Sequence, residues 1–305
     1  MQEIQKGMSY HNPVMLNESI DGLEIKEGEV YVDVTYGGGG HSKEILKRLK
    51  HGKLIAFDQD ADAGENKVDD ERLLLIPQNF KYLKNYLKMY KTTEVAGVLA
   101  DLGVSSHQFD KGERGFSIRF EGPLDMRMDQ KGGLTAAKVV NDYEEEALLR
   151  LFREYGEIKN ARKLVFEIVS ARLGGRILTT QQLVSVVEKC VSGKMKNKYL
   201  AQVFQALRIE VNDEMGVLKD LLVQAKEVLK PGGRLVVITY HSLEDRLVKN
   251  FLNKGNFEGE VEKDFFGNPL LDFKLINRKP LVASDEEIKE NNRARSAKLR
   301  IAEKL

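Results

Sequence analysis

The chain carries one cysteine, Cys190, in 305 residues, which excludes a disulfide framework and a cysteine-ligated zinc site and fits a reducing compartment. Histidine is also scarce. The five, at 11, 41, 51, 107 and 241, show no His-x-x-x-His or His-Glu spacing, so no metal is assigned. No apolar run approaches the roughly 20 residues of a membrane helix, and Met1 to Val14 lacks the apolar core of a signal peptide. A soluble, intracellular protein is the expectation, long enough for one large domain and a smaller one or an insertion. The formal net charge is only +1, but it hides an asymmetry. Residues 150 to 205 hold eleven Lys and Arg against four Glu, a surplus of seven, which leaves −6 for the rest. A basic segment on an otherwise acidic chain suits a polyanion, because each cation placed on a phosphate releases counterions.

One absence is more telling than these. Strand-like Val30 to Val34 leads into Asp-Val-Thr-Tyr-Gly-Gly-Gly-Gly-His-Ser at 33 to 42. A helix is expected from Glu44 to Leu49, then a second apolar run, Leu54 to Phe57, ending in Asp58. Strand, glycine loop, helix, strand and acid is the order of a cofactor-binding βαβ unit. The dinucleotide fingerprint Gly-x-Gly-x-x-Gly is nevertheless missing, since its sixth position is Ser42 read from Gly37 and Lys43 read from Gly38. What stands there is an acid, Asp33, four residues before the first glycine. That suits a ligand with no phosphate and a cationic amino-acid portion, of which S-adenosylmethionine is an example. Asp58 would then accept hydrogen bonds from a vicinal ribose diol. The plainer alternative is a tight structural turn beside a surface acid.

Downstream, Lys230-Pro-Gly-Gly-Arg234 joins a helical stretch, with Val217, Leu218, Leu221, Leu222, Ala225, Val228 and Leu229 at i, i+3, i+4 spacing, to a strand from Leu235 to Thr239. This resembles the late part of class I methyltransferase domains. Further strands are expected near Leu73 to Ile76 and Val95 to Leu99. From about Asp110 to Gln205 the β signal fades into helical runs, Glu144 to Arg153 and Ala161 to Ala171, around a glycine-rich stretch, Gly112 to Gly133. Glu144 to Glu146 reads as the acid-rich first turn of a helix. The expected architecture is a doubly wound, Rossmann-like α/β sheet over 1–109 and 206–305, interrupted by a mostly helical insertion over 110–205.

Several motifs make the assignment specific: His11-Asn-Pro-Val14, Glu18, Gly39-Gly-His-Ser42, Asp101-Leu-Gly-Val-Ser-Ser106, Gln108, Arg114-Gly-Phe-Ser117, Pro123-Leu-Asp-Met-Arg-Met128, Thr239-Tyr-His-Ser-Leu-Glu-Asp245 and Arg293-Ala-Arg-Ser-Ala-Lys-Leu-Arg300. Together, and in this order, they closely resemble the bacterial ribosomal RNA small subunit methyltransferase H family. The resemblance implies a cytoplasmic class I enzyme that moves methyl from S-adenosylmethionine to the exocyclic N4 of one cytidine in the decoding region of small-subunit (16S) ribosomal RNA. It implies cofactor contacts at Gly39, Gly40, His41, Asp58, Phe80, Asp101 and Gln108, beside the Asp33 and Gly37 already singled out. For Phe80 a plain core position is the other reading. The inserted domain would help to recognise RNA, no membrane or metal partner is expected, and a homodimer is compatible with the family.

The group that receives the amine proton is left open. Many amino-methyltransferases carry Asp/Asn/Ser-Pro-Pro-aromatic after the fourth strand, where this chain has Asp101-Leu-Gly-Val. The candidates are Asp101, Ser105, Ser106, Tyr240 and His241, the last alternatively a hydrogen-bonded structural histidine. For RNA the candidates are Arg114, Lys194, Lys196, Lys198, Arg293, Arg295 and Lys298, with the C-terminal group alternatively a solvated helix face. Phe116, Phe120 and Tyr199 are the aromatics near the basic segment, each also a natural core residue. Two rival classes are a methyltransferase for a small molecule, which would not need the basic insertion, and an RNA-binding protein with a relic cofactor pocket, against which Asp33, the glycines and Asp58 argue. A nicotinamide oxidoreductase ranks last.

Overall fold

The computed structural model describes residues 13–305, so His11 and Asn12 of the first motif lie outside the described residues. The chain divides into two compact units, one formed by 1–103 with 218–305 and the other by 104–217.

Among the described residues the first unit is built on seven strands: β1 Val30–Asp33, β2 Lys53–Phe57, β3 Leu73–Ile76, β4 Val95–Asp101, β5 Leu229–Thr239, β6 Phe273–Leu275 and β7 Lys298–Lys304. Their order is β3-β2-β1-β4-β5-β7-β6, with β1 to β5 parallel and β7 antiparallel to both its neighbours. This is the class I methyltransferase architecture. The first five strands read as nearly unbroken apolar runs because both of their faces are covered. Alternation sorts the side chains: Val32, Ile55, Phe57, Val98, Leu235 and Val237 join the core on one face, while Tyr31, Leu54, Ala56, Leu99, Val236 and Ile238 join the core on the other. Each such Val, Leu, Ile or Phe side chain, fully buried, contributes about 1.5–3 kcal/mol.

The Pro-Gly-Gly segment differs from expectation. Leu229 already pairs with Val95, and pairing resumes only at Arg234 opposite Gly97, so Lys230 to Gly233 bulge from a strand that starts six residues before Leu235. Gly97 is required there, because a Cβ would come within 2.8 Å of the Tyr31 ring.

The C-terminal basic motif is not a helix face. Residues Asn292–Ser296 form a short 3-10 turn, and Lys298–Lys304 form β7, inserted between β5 and β6. Leu299 and Ile301 point to one core and Ala302 to the other. Arg300, 4% exposed, is tolerated in the sheet because its Nε donates to Asp245 Oδ1 at 2.7 Å.

Among the described residues, six α-helices complete the order of this unit: α1 Leu16–Leu23, α2 Gly40–Arg48 and α3 Leu83–Met89 before the second unit, and, after it, the later part of Glu214–Val228, then Ser242–Lys254 and Asp285–Glu290. In the second unit, α4 Ser106–Asp110, α5 Ala136–Asp142, α6 Glu145–Glu154, α7 Ala161–Leu173, α8 Thr180–Val187 and α9 Lys196–Asn212 close around a separate core that includes Leu148, Phe152, Leu164, Ile168, Leu183, Val203 and Leu207. Counting on, Glu214–Val228 is α10, Ser242–Lys254 α11 and Asp285–Glu290 α12. Of the β pairing, only an isolated bridge, Pro123 to Thr179, is found among the described residues of the second unit.

Candidate active site

Strand order reverses between β1 and β4, and the carboxyl ends of these two strands flank the crevice where open α/β sheets bind ligands. Asp33 ends β1 and Asp101 ends β4. Asp33 is 1% exposed, and burial raises its carboxyl above the ordinary range. Its oxygens are not bare: Ser42 donates to Oδ2 at 2.7 Å, and the Thr35 N–H to Oδ1 at 3.0 Å. The Thr35 hydroxyl also accepts the Asp101 N–H at 2.7 Å, which ties the two strand ends together.

The glycine loop has two steric requirements. Gly39 holds φ +74, a left-handed conformation, and a Cβ there would stand 2.6 Å from the Tyr36 hydroxyl. A Cβ on Gly40 would meet Pro13 at 2.2 Å. Helix α2 starts at Gly40, four residues before the expected Glu44, because the Gly39 turn already sets the first helical residue. His41 and Ser42 therefore sit on the first turn, with their side chains buried toward the strand ends.

Asp58, one residue past β2, closes the loop from the other side. Its Oδ2 accepts the Gly37 N–H at 2.7 Å and its Oδ1 the Asp60 N–H at 2.8 Å. Burial outweighs both bonds and pushes its carboxyl up to about 6. Each oxygen keeps further acceptor capacity. Phe80 begins a 3-10 turn after β3 and is half-buried against the sheet core; Asn79, just before it, donates to the Gln59 side chain at 2.7 Å and so joins the loops that follow β2 and β3.

At the β4 end, burial raises the Asp101 carboxyl and the Tyr240 hydroxyl donates to its Oδ1 at 2.7 Å. Burial first, and the Asp101 charge next, hold the Tyr240 phenol well above its ordinary value. His41 Nδ1 lies 3.8 Å from the other oxygen, while Nε2 lies 3.1 Å from the Val14 carbonyl. A carbonyl only accepts, so Nε2 carries hydrogen, and Nδ1 turns toward the carboxylate. One further proton at that edge would turn facing lone pairs into a charge-assisted contact. The Asp101 carboxylate is thus flanked by the Tyr240 hydroxyl on one oxygen and the His41 imidazole on the other.

His241 has a structural position. It is the N-cap of α11: its Nδ1 accepts the Glu244 N–H at 3.4 Å, and Glu244 Oε2 accepts the N–H of Tyr240 at 2.8 Å and that of His241 at 3.3 Å. Glu244, which sequence reasoning quoted only within a motif, anchors the backbone that presents Tyr240. Ser42 and Thr35 were likewise missed as partners of the acids; a hydroxyl residue next to a buried carboxylate was the available signal.

The remaining candidates belong to other surroundings. Ser105 and Gln108 form the capping box of α4 in the second unit, with the Gln108 Oε1 accepting the Ser105 N–H at 3.1 Å. Ser106 starts that helix. Arg114, expected on RNA, is 5% exposed, and its Nη2 donates to the Arg127 and Met128 carbonyls at 3.1 Å, so it braces the glycine-rich stretch from within. Lys194 and Lys198 are exposed, and Lys196 pairs with Glu188 at 2.7 Å. Arg295 is exposed and Arg293 half-buried, while Lys298 pairs with Asp245 at 3.1 Å. Phe116 is buried in the core of the second unit, Tyr199 packs against that core, and Phe120 is exposed.

The model of the MraW methylase family matches residues 8–305. The ribosomal RNA small subunit methyltransferase H of Flavobacterium johnsoniae is 60% identical over 299 residues, spanning 98% of this chain and 99% of that protein. The protein of the same name from Christiangramia forsetii is 58% identical over 299 residues, with the same coverage. Among solved structures, an rRNA methylase from Streptococcus thermophilus aligns over 94% of this chain and 95% of that one, at 13% identity and a TM-score of 0.43.

Proposed function

The chain belongs to the MraW methylase family, and on that premise we propose that this S-adenosylmethionine-dependent ribosomal RNA methyltransferase acts on the exocyclic N4 of one cytidine in the decoding region of the small-subunit RNA. The observation that carries the chemistry is the pair of acids, buried Asp33 and half-buried Asp101, at the ends of β1 and β4 beside the His41 imidazole.

The residues fit the cofactor by charge. Three carboxylates, Asp33, Asp58 and Asp101, line the loop end of the sheet, where a pyrophosphate would be repelled and a sulfonium with its ammonium group attracted. Gly37, Gly39 and Gly40 bring backbone to the ligand, Asp58 takes the ribose hydroxyls, and Phe80 borders the adenine. When bound, the cofactor supplies an electrophilic methyl group.

The chain's own residues do the rest. A cytosine amino group is a weak nucleophile because its lone pair is conjugated into the ring, so it must be held in line and relieved of a proton. Asp101, with its raised carboxyl and its contacts to Tyr240 and His41, accepts that proton. Tyr240 orients the carboxylate, and Glu244 fixes Tyr240. His241 acts as a helix cap. The helical unit, with its basic surplus, binds the RNA phosphates through residues such as Lys194 and Lys198. No helix among the described residues is long and apolar enough to cross a membrane, and the enzyme works in the cytoplasm, where its RNA is.

The deciding experiment is methyl transfer from labelled S-adenosylmethionine to small ribosomal subunits from cells lacking this protein, followed by nucleoside analysis. Label in N4-methylcytidine is the expected result. Cofactor binding without label on the subunits would overturn the substrate assignment and favour a small-molecule acceptor.

A further inference from the structure

Between α11 and β6 the chain turns back on itself in a short hairpin. Lys263 and Pro269 bridge it, and the Leu270 N–H donates to the Glu262 carbonyl at 2.8 Å. Its tip is built with care by Asp264. The carboxylate accepts the N–H groups of Phe266 at 2.9 Å and Asn268 at 2.8 Å, and the Asn268 side-chain amide at 3.0 Å. Gly267, at φ +85, donates to the Asp264 carbonyl at 3.0 Å. This network fixes the backbone without using either side chain at the apex. Those two are Phe265 and Phe266, 97% and 84% exposed, edge to face with centroids 5.6 Å apart, and Leu270 beside them is exposed as well. Two adjacent, fully wetted phenylalanines on a turn held by polar bonds mark a surface meant to be covered.

Charge decides what covers it. From Asn256 to Asp264 the chain carries Glu258, Glu260, Glu262 and Asp264 against one lysine, Lys263, in contrast to the basic segment at 150–205; Asp272, past the hairpin, is already paired with Lys226 at 2.7 Å and Lys304 at 3.6 Å. Phosphate would be repelled from this hairpin, and a cationic surface attracted. We propose that the hairpin is a docking site for a basic protein surface with an apolar cleft, of the kind a protein of the small ribosomal subunit offers, in which Phe265 and Phe266 are the anchors and Glu260 and Glu262 the rim. The choice of particle rests on the function proposed above; the chemistry of the hairpin does not.

The test compares the affinity of the full-length protein for small subunits and for protein-free RNA extracted from them, by cosedimentation. Phe265→Ser with Phe266→Ser should weaken subunit binding on the order of tenfold, with the RNA and cofactor affinities unchanged. Glu260→Lys with Glu262→Lys should also weaken subunit binding. The sign of that second effect is decisive: tighter binding would make the occupant RNA and overturn the proposal. Unchanged binding by both variants, equal losses on RNA and subunits, or a dimer that dissociates when the phenylalanines are removed would overturn it too. Labelled methyl transfer by the wild-type protein to the same subunits is scored separately, so a failure of the functional assignment is distinguishable from a failure of the docking site.

Discussion

The Tyr240 hydroxyl donates to Asp101 Oδ1 at 2.7 Å and so links the ends of β5 and β4 through two side chains far apart in sequence. Tyr240→Phe removes the donor but keeps the ring. A hydrogen bond to a charged group is worth about 1.5–3 kcal/mol, so turnover is expected to fall roughly 10- to 100-fold. Cofactor affinity, measured by calorimetry, should change less than about threefold. A large loss of cofactor affinity with normal turnover would place Tyr240 in cofactor binding instead.

Asp58 sets a pH dependence. Its carboxyl titrates near 6 in the folded chain, above its ordinary 3.8, so between those values the folded state binds more proton than the unfolded one. Its contribution to stability is therefore greatest below 3.8 and is lost as pH rises through 6. If Asp58 holds the ribose as proposed, cofactor binding requires the opposite protonation state, since only the ionised carboxylate accepts from both hydroxyls. Affinity for S-adenosylmethionine is expected to rise across pH 5 to 7 in the wild type, and this rise should be absent in Asp58→Asn.

At Gly39 the expected failure is local. Gly39→Ala forces a Cβ against the Tyr36 hydroxyl, which donates to the Asn66 carbonyl and accepts the Val68 N–H, each at 2.9 Å. Loop and following segment should shift together. Cofactor affinity should drop at least about tenfold while the far-ultraviolet circular dichroism stays native.

Asp245 neutralises the buried Arg300. Asp245→Ala strands that cation and is expected to destabilise the fold by about 3–5 kcal/mol in urea unfolding. Adding Arg300→Met should recover much of the loss, because an apolar side chain suits its place in β7. Failure of the double variant to recover would mean that the pair contributes net stability.

On the helical unit, Lys194→Glu with Lys198→Glu reverses two exposed charges outside any core. If they lie on phosphates, KM for the RNA substrate rises, kcat holds, and the log–log salt slope of binding shrinks by roughly 0.7–0.9 per contact. An unchanged slope would remove both lysines from the interface.

The parallel strands were legible because two-sided burial writes itself as apolar runs bounded by glycine, as in Leu54 to Phe57. β7 was not. Lys298, Arg300, Glu303 and Lys304 hide its alternation, and only the partner Asp245, 55 positions from Arg300, explains why a cation can lie in a sheet. In the site, Asp33, Asp58 and the glycines announce themselves through spacing. The role of Ser42 does not, since nothing local says which way a hydroxyl on a first helical turn will point. Arg114 misleads for the converse reason: a basic residue among glycines looks exposed, and only carbonyls brought by residues 127 and 128 show that it is interior.

The placement of the helical unit between β4 and β5 has a consequence in time. During synthesis β4 ends at Asp101, but its neighbour β5 begins only at Leu229. At about 5–20 residues per second, the ribosome leaves that edge of the nascent sheet unpaired for roughly six to twenty-five seconds. The intervening segment encloses a core of its own and is delivered first, so it can mature as a separate cooperative unit while β1 to β4 wait. The slow step of folding is then expected to be the late capture of β5, a contact of long sequence separation, rather than the collapse of either part.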